Sequence, residues 1–298
     1  MKSLGYFALC AVVFVFSAFN AAMAEDRVSE PIAGEFVSLA GMDNGDVLLL
    51  TVKNQLIHIN AKGTVVKTIP LPAIPGADPD ARFSDLVVAG TVVTFCRFEE
   101  AKLFAFDMDK PDSYKIVQVI LPPDSANVPV NFLNISKSGS SFRVLDADNN
   151  SYTISPKGEI TRKTPNSGLP TTPDGDALLA DGPIPVLGLN AWKIKSEAGR
   201  ILLSLTPPEL KKNVISLGIL GFDAKNRLII LEISGRTELD NVYTLHAVQD
   251  GKIVASKQIP QQGELAVVKS QILFPDGTIC LLRGSPDNHG ITLHWVSL

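Results

Sequence analysis

Short runs of apolar and β-branched residues, separated by polar turn residues, recur along most of this chain. The run at 47–52 is almost entirely apolar, which is typical of a strand buried on both faces of its sheet. The run at 64–69 mixes valine and isoleucine with threonine and lysine, as a strand at the edge of a sheet does. A third run at 55–59 lies between them, so residues 45–72 predict a β-meander ordered from the interior outward.

The same meander recurs at a regular interval. A small or turn residue precedes each most apolar run, and successive markers are 45, 49, 43, 44 and 51 positions apart: Gly45, Gly90, Gly139, Gly182, Asn226 and Gly277. In the same phase, a proline soon follows the outer strand of each of the first five repeats, and proline ends strands because it lacks the N–H that a sheet needs. Six four-stranded repeats of this length are typical of a β-propeller.

The repeats also predict how the ring closes. The sixth repeat reaches the end of the sequence without an outer strand, and the apolar-containing segment 27–32 can supply it. The first strands, which line the central channel, are predicted near 36–40, 86–89, 132–136, 177–180, 216–222 and 267–274. We therefore predict an all-β fold: a six-bladed β-propeller of four-stranded antiparallel blades in one domain, residues 25–298, closed by an N-terminal strand.

The fourth repeat is the least regular. Its second strand is predicted at 184–187, where Pro183 and Pro185 predict a bulge or an exposed edge.

Three segments resemble a known group of propellers. Residues 221–228 and 273–279, together with the hairpin at 56–63, are similar to the loose aspartate- and glycine-containing pattern of the NHL and TolB-like six-bladed propellers. That superfamily includes protein-binding scaffolds, metal-dependent lactonases and quinone-dependent dehydrogenases. The resemblance therefore implies the shape of the molecule and not one activity.

The N-terminus has the features of a secretory signal peptide. Lys2 precedes an apolar segment at 6–19, and Ala22-Met23-Ala24 forms a small-x-small cleavage site. An uncleaved membrane anchor is the alternative, but an apolar core of roughly 14 residues is shorter than the ~20 that span a bilayer. We expect residues 1–24 to be removed, leaving a soluble protein that is periplasmic or secreted and has no membrane span.

Charge and cysteine content narrow the partners and the redox chemistry. The net charge is −4, and no block of basic residues exceeds a pair such as Lys211-Lys212, so nucleic acid and anionic membrane surfaces are not expected partners. Cys96 and Cys280 lie in apolar runs of different, non-adjacent repeats, too far apart for a disulfide. We expect two free, buried thiols.

Candidate metal ligands occur in two patterns along the chain. His58, His246 and His294 fall in the third strands of different repeats, which diverge from the axis, so we expect packing roles for them. The lactonase-like resemblance implies a divalent cation in the channel, and residues near the starts of blades could hold it: Asp85, Asn131, Asn134 and Asp223. No acidic residue recurs at one phase, so no cofactor is favoured and a divalent cation remains the alternative.

Signatures of other enzymes are missing from the sequence. There is no Gly-x-Ser-x-Gly elbow and no Gly-x-x-x-x-Gly-Lys phosphate loop, and Trp192 and Trp295 are the only tryptophans, too few for quinone-enzyme motifs. We therefore favour a protein that is not an enzyme.

The longest connections predict the binding surface. Crossings between blades and loops between second and third strands emerge on one face of a propeller, opposite the short hairpin turns, and such loops commonly carry function. Candidate binding residues there are Arg82, Asp85, Arg97, Arg236, Glu238, Asp240, Arg283 and His289. The sequence favours an exported binding or scaffold module whose partner is another protein or a cell-envelope ligand. The alternative is a channel-sited, metal-dependent, lactonase-like hydrolase.

Overall fold

A computed structural model describes twelve segments of the chain: 26–74, 82–98, 100–121, 132–148, 150–165, 170–176, 178–181, 192–205, 214–235, 241–259, 269–284 and 290–298. Within these segments the regular structure is antiparallel β-strand, arranged in six separate sheets. None of the residues described forms a helix long and apolar enough to cross a membrane. The predicted signal peptide, residues 1–24, lies outside the described segments.

The six sheets are the blades of a propeller, which confirms the predicted fold. Blade 1 contains β2 (Phe36–Gly41), β3 (Val47–Thr51), β4 (Gln55–Ile59) and β5 (Val65–Pro70). Blade 2 contains β6 (Phe83–Ala89), β7 (Val92–Arg97), β8 (Lys102–Asp107) and β9 (Lys110–Gln118). Blade 3 contains β10 (Phe132–Ser138), β11 (Ser141–Asp146), β12 (Ser151–Ile154) and β13 (Ile160–Thr164).

The remaining blades follow in chain order. Blade 4 contains β14 (Leu178–Asp181), β15 (Trp192–Ser196) and β16 (Ile201–Leu205) in the described residues. Blade 5 contains β17 (Val214–Phe222), β18 (Leu228–Ser234), β19 (Val242–Gln249) and β20 (Lys252–Ile259). Blade 6 contains β21 (Gln271–Leu273), β22 (Ile279–Gly284) and β23 (Ile291–Val296), with β1 (Arg27–Val28) as its fourth strand.

Burial follows the order that the hydrophobic pattern predicts within a blade. All five residues of β3 are buried, whereas most of β5 is exposed. Apolar side chains from neighbouring sheets form the core, in five clusters that each join two successive blades. Cys280 belongs to the cluster between blades 6 and 1, and Cys96 to the cluster between blades 2 and 3. Both thiols are free and buried, as predicted.

The N-terminal strand closes the ring, as predicted. Arg27 pairs with Trp295, and Val28 pairs with His294. Beyond β1, the backbone N–H of Ser29 donates to Leu293 O at 2.8 Å, and Ile32 exchanges two backbone hydrogen bonds with Ile291, at 2.8 and 2.9 Å. The outer edge of β23 is thereby paired, so it cannot recruit a strand from another molecule.

Blade 4 corrects one part of the predicted phase. The turn at 172–176 has the backbone hydrogen bonds of the turn at 42–46, which joins the first and second strands of blade 1. The strand after it, β14, is not the first strand of its blade, so the prediction for 177–180 is wrong. It is the second, because Leu203 of β16 bridges Gly251 in the third-to-fourth turn of blade 5, as Ile120 after the fourth strand of blade 2 bridges Glu159 in that turn of blade 3. β14 pairs directly with β15, so Gly175 and not Gly182 marks this repeat. The predicted strand at 184–187, with Pro183 and Pro185, lies outside the described residues.

The connections divide the propeller into two unlike faces. Turns between first and second strands and between third and fourth strands have two to five residues and form what we call the turn face. Loops between second and third strands and crossings between blades form the loop face, where connections range from three residues at 52–54 to thirteen at 119–131. Variation in length is therefore greatest on the loop face.

We expect blade 6, whose fourth strand closes the ring, to lose stability in mild acid. Burial, and then the neighbouring Arg283 guanidinium, lower the pKa of His294, although Asp26 opposes them. In the unfolded chain this imidazole is protonated near its ordinary pKa of about 6.5, whereas in the folded chain it is protonated only at lower pH. Acidification below pH 6.5 therefore favours unfolding. We expect the free energy of unfolding to fall between pH 7.5 and 5.5, and to fall less in His294→Gln, as measured by urea denaturation at both pH values. An equal fall in both proteins would contradict this role for His294.

Candidate functional site

A polar residue recurs at one position of the first strand in blades 1 to 3. Each of these strands begins with phenylalanine, any residue, a small polar residue and then leucine or isoleucine; the polar residues are Ser38, Asp85 and Asn134. The pairing with the second strand shifts by one residue between the phenylalanine and the polar residue in all three blades. Such bulges redirect a side chain, and here they bring the three polar residues together.

Asp85 is the centre of this group and has no exposed surface. Its Oδ1 accepts hydrogen bonds from the backbone N–H of Leu86, at 2.8 Å, and from the hydroxyl of Ser38. Its Oδ2 accepts the backbone N–H of Ile135, at 2.8 Å, and the Asn134 amide, at 3.5 Å. One carboxylate therefore links the first strands of three successive blades.

Lys269 brings a fourth blade to the same carboxylate. Its Nζ lies 2.9 Å from Asp85 Oδ1 and donates to the carbonyl oxygen of Leu86 at 3.1 Å. The Lys269 side chain is 21% exposed, and Lys269 lies two residues before β21 of blade 6. The buried negative charge is thus neutralised by an ammonium group, which burial of an ion requires. Sequence reasoning did not identify Lys269 or assign a role to Ser38.

Two members of the group, Asn134 and Lys269, line the central channel, and Ser38 and Asp85 are buried behind them. A cavity of about 570 Å³ is lined by residues of blades 1, 2, 3, 5 and 6 and by Pro170, which precedes blade 4. Its lining is mainly hydrocarbon, including Leu86, Ile135, Ile219 and Ile272. The cavity extends from Lys269 and Asn134 to residues at the turns of blades 1 and 6: Met42, Asp43 and Pro275. It therefore approaches the turn face.

The four residues of the metal alternative do not meet at one point. Asp85 and Asn134 are in contact, but the Asp223 carboxylate is paired with the Arg227 guanidinium at 2.7 Å, and it also accepts the N–H groups of its own turn, at 2.9 and 3.0 Å. Asp223 lines a different depression, of about 660 Å³, on the turn face. Asn131 lies outside the described residues.

The surroundings of Asp85 do not fit a resident cation. Each contact of its carboxylate is with a hydrogen-bond donor, and one of these donors, Lys269, is already cationic. A divalent ion needs several free oxygen ligands, and it would have to displace that ammonium group. Among the residues that the structure covers, no three histidine, cysteine, aspartate or glutamate side chains are grouped as metal ligands would be.

Four candidates for the loop face lie in described segments. Asp85 is buried in the channel wall, while Arg82, just before β6, is exposed. Arg97 ends β7 as a buried residue, 3.3 Å from Glu100 and above the ring of Phe104. Arg283, in β22, is partly buried, and this burial lowers its pKa. The other candidates, Arg236, Glu238, Asp240 and His289, lie outside the described residues.

Phe98 is a loop-face residue that sequence reasoning missed. It follows β7 directly, beside Arg97, and its side chain is 46% exposed. The sequence feature that could have indicated Phe98 is its position directly after the arginine that ends a strand.

The three histidines of the third strands make their hydrogen bonds within separate blades. His58 contacts Asp46 in blade 1, at 2.7 Å, and His294 contacts Thr292 in blade 6, at 3.0 Å. In blade 5, His246 lies 2.7 Å from the Ser256 hydroxyl and 3.1 Å from Glu232. This last chain has the residue types of a catalytic triad, but none of its members lines either described cavity. We interpret it as a link across three strands.

Comparison with known proteins supports the fold. No protein-family model matches the chain, and no curated protein matches it in sequence. The β-propeller domain of Myceliophteria thermophila Cps50 (Swd1) is 9% identical, with a TM-score of 0.55 over 92% of this chain and 100% of that one. A chain of a mitotic checkpoint complex is 10% identical, with a TM-score of 0.55 over 100% of this chain and 99% of that one.

A bacterial structure is also similar. Kuenenia stuttgartiensis hydrazine synthase is 13% identical, with a TM-score of 0.50 over 89% of this chain and 77% of that one. At these identities the likeness establishes the β-propeller fold and does not establish an activity.

Proposed function

We propose that this protein is an exported binding module that holds a partner, a protein or another component of the cell envelope, on its loop face. The observation that carries this proposal is the difference between the two faces. Turns at 42–46, 172–176 and 274–278 are closed by the same pair of backbone hydrogen bonds and form a uniform turn face. The loop face presents connections of varied length on a rigid ring, which is the usual setting of a binding surface.

The loop-face end of blade 2 offers a suitable contact area. Phe98 is 46% exposed, and Arg97 beside it is held by Glu100 and by the ring of Phe104. Arg82, which precedes the first strand of the same blade, is exposed. Aromatic and arginine side chains contribute most to binding at protein interfaces. We therefore propose that the partner contacts this area. Export of the protein is inferred from residues 1–24 alone.

Charge reversal and truncation at this area test the proposal. We expect Arg82→Glu and Phe98→Ser each to reduce recovery of a cross-linked partner from cells by about 10-fold, because each removes a contact of interface type. Lys225→Glu is the matched control, since it makes the same charge change on an exposed residue of the turn face. Cell fractionation of the tagged full-length chain tests export. An unchanged cross-link in both loop-face variants, or a cytoplasmic location, would contradict the proposal.

The same purified protein distinguishes the hydrolase alternative. Thermal melting is measured with a chelator and then with Ca²⁺, Mg²⁺, Mn²⁺ or Zn²⁺ added, because a ligand bound to the folded state raises the melting temperature by mass action. The binding-module proposal expects no shift. A shift of several degrees that disappears in Asp85→Ala or Asp223→Ala would favour the channel-sited hydrolase instead.

A further inference from the structure

The channel cavity has the size and lining of a small-molecule site. Its volume of about 570 Å³ lies within the range of roughly 300 to 1,000 Å³ that ligand pockets occupy. Hydrocarbon side chains form most of the wall in the described residues, including Leu86, Ile135, Ile219 and Ile272. The polar side chains of the lining are Asn134 and Lys269, beside Asp85, together with Ser136, Gln271 and, at the turn-face end, Asp43. An apolar wall with a small polar site suits a mainly apolar ligand that has one polar group.

The hydrogen bonding of Lys269 selects that polar group. An ammonium group has three N–H donors, and Lys269 directs two of them to Asp85 Oδ1 and Leu86 O. The third N–H can donate a hydrogen bond to an oxygen atom of a ligand. All the contacts of the Asp85 carboxylate described above are with donors inside the protein, so it has less capacity to receive a donor from a ligand.

The charge balance of the pair selects a neutral ligand. Lys269 and Asp85 together carry no net charge. Lys269 lines the cavity and Asp85 is buried behind it, in surroundings where charges interact strongly. An anionic ligand at Lys269 would approach the buried Asp85 carboxylate, and a cationic ligand would meet the Lys269 ammonium. A carbonyl oxygen accepts the hydrogen bond without either repulsion.

We propose that the central channel binds a slender, mainly apolar, uncharged molecule that carries a carbonyl oxygen, and that Lys269 donates a hydrogen bond to this oxygen. The ligand enters from the turn face, between the turns of blades 1 and 6, because the cavity extends to Met42, Asp43 and Pro275. This site is separate from the loop face, so it does not depend on the proposed partner binding. No covalent step is involved.

Nile red, an uncharged dye with a carbonyl group, is the probe. We expect it to bind purified full-length protein, or the chain beginning at residue 25, with a stoichiometry of one and an increase in fluorescence. Four nine-carbon competitors then compare the polar group: 2-nonanone, nonane, nonanoate and nonylamine. We expect 2-nonanone to displace the dye at a concentration about 10-fold lower than the other three, as one hydrogen bond to a charged donor implies.

Two kinds of variant locate the site. Ile219→Trp fills the cavity and should weaken Nile red binding by about 10-fold, since the added indole occupies the space of the dye. Lys269→Met should remove the preference of the site for 2-nonanone over nonane. Because Lys269→Met leaves Asp85 without its cation, the double variant Asp85→Asn/Lys269→Met repeats the test with both charges removed. Lys225→Met, on the turn face outside the channel lining, is the control for loss of a lysine.

The outcomes are decisive in either direction. Loss of dye binding in Ile219→Trp, together with loss of the ketone preference in a Lys269 variant that retains its circular dichroism spectrum, supports the site. The proposal is overturned if Nile red does not bind, if Ile219→Trp binds it unchanged, or if nonanoate or nonylamine competes as well as 2-nonanone. A ketone preference that persists in the folded double variant would also overturn it.

Discussion

Removal of residues 25–34 is expected to lower the free energy of unfolding by at least about 3 kcal/mol, because it deletes the fourth strand of blade 6. The deleted segment supplies the pairing of β1 and the hydrogen bonds of Ser29 and Ile32 to β23. The deletion also removes Ile32, which is 6% exposed and packs in the cluster between blades 6 and 1. Urea denaturation of the purified chain beginning at residue 25, with and without the segment, measures the effect.

Two single substitutions separate burial from strand pairing. Ile32→Ala should cost about 2 to 4 kcal/mol, because it opens a cavity in a packed core. Val28→Ala, in the same segment, should cost less than about 0.5 kcal/mol, because Val28 is 56% exposed. A synthetic peptide of residues 25–34 added to the truncated chain should restore part of the lost stability. Equal costs for the two substitutions, or a truncated chain as stable as the parent, would contradict closure by this segment.

Asp85→Ala is expected to cost about 3 to 5 kcal/mol, the range for removing one partner of a buried ion pair. The substitution leaves Lys269 without its counter-ion and deprives two backbone N–H groups, those of Leu86 and Ile135, of their acceptor. It also separates the polar contacts that join the first strands of blades 1, 2 and 3. The melting temperature and the urea midpoint should fall together.

A double-mutant cycle tests whether the loss comes from the ion pair. Asp85→Asn and Lys269→Met should each destabilise the protein, and Asp85→Asn/Lys269→Met should be more stable than the sum of these two single changes implies, because no uncompensated charge remains. Ser38→Ala is the smaller control and should cost about 1 kcal/mol, the usual value of one hydrogen bond. Strict additivity of the Asp85 and Lys269 changes would show that the two side chains are not coupled in solution.

The sequence predicts most of the fold because simple chemistry sets its repeats. A tight turn needs a residue that tolerates a positive φ, and Gly45 and Gly277 have φ values of 85° and 90°. Prolines end the outer strands, so the prolines and the turn residues recur at the same interval along the chain. Closure could also be predicted, because a sixth repeat without an outer strand leaves an unpaired edge.

Blade 4 shows the limit of this reasoning. Two glycines, Gly175 and Gly182, lie at acceptable distances from their neighbours in the repeat, and even spacing favoured the wrong one. The segment 172–176, Thr-Pro-Asp-Gly-Asp, has the residues of a tight turn, and its backbone hydrogen bonds match those of blade 1. Local turn chemistry was the better guide here than the average period.

The candidate site could be predicted only in part. Asp85 and Asn134 could be named because they lie near the starts of predicted blades, where the lactonase-like resemblance implies a cation in the channel. The recurring phenylalanine, polar residue and leucine or isoleucine of blades 1 to 3 would have added Ser38. Lys269 gave no such signal, because its contact with blade 2 joins residues 184 positions apart, and only the closed ring brings them together.

Closure by the N-terminal strand also sets the order of assembly. Residues 27 and 28 are among the first of the folded part to be synthesised, yet their partners, Trp295 and His294, are among the last. Earlier blades can form their hairpins locally, but the ring cannot lock until nearly the whole chain is available. Such a long separation in sequence slows the final step of folding. Until then β1 and β23 both present unpaired edges, so nascent or partly unfolded chains are the species most prone to pair with one another.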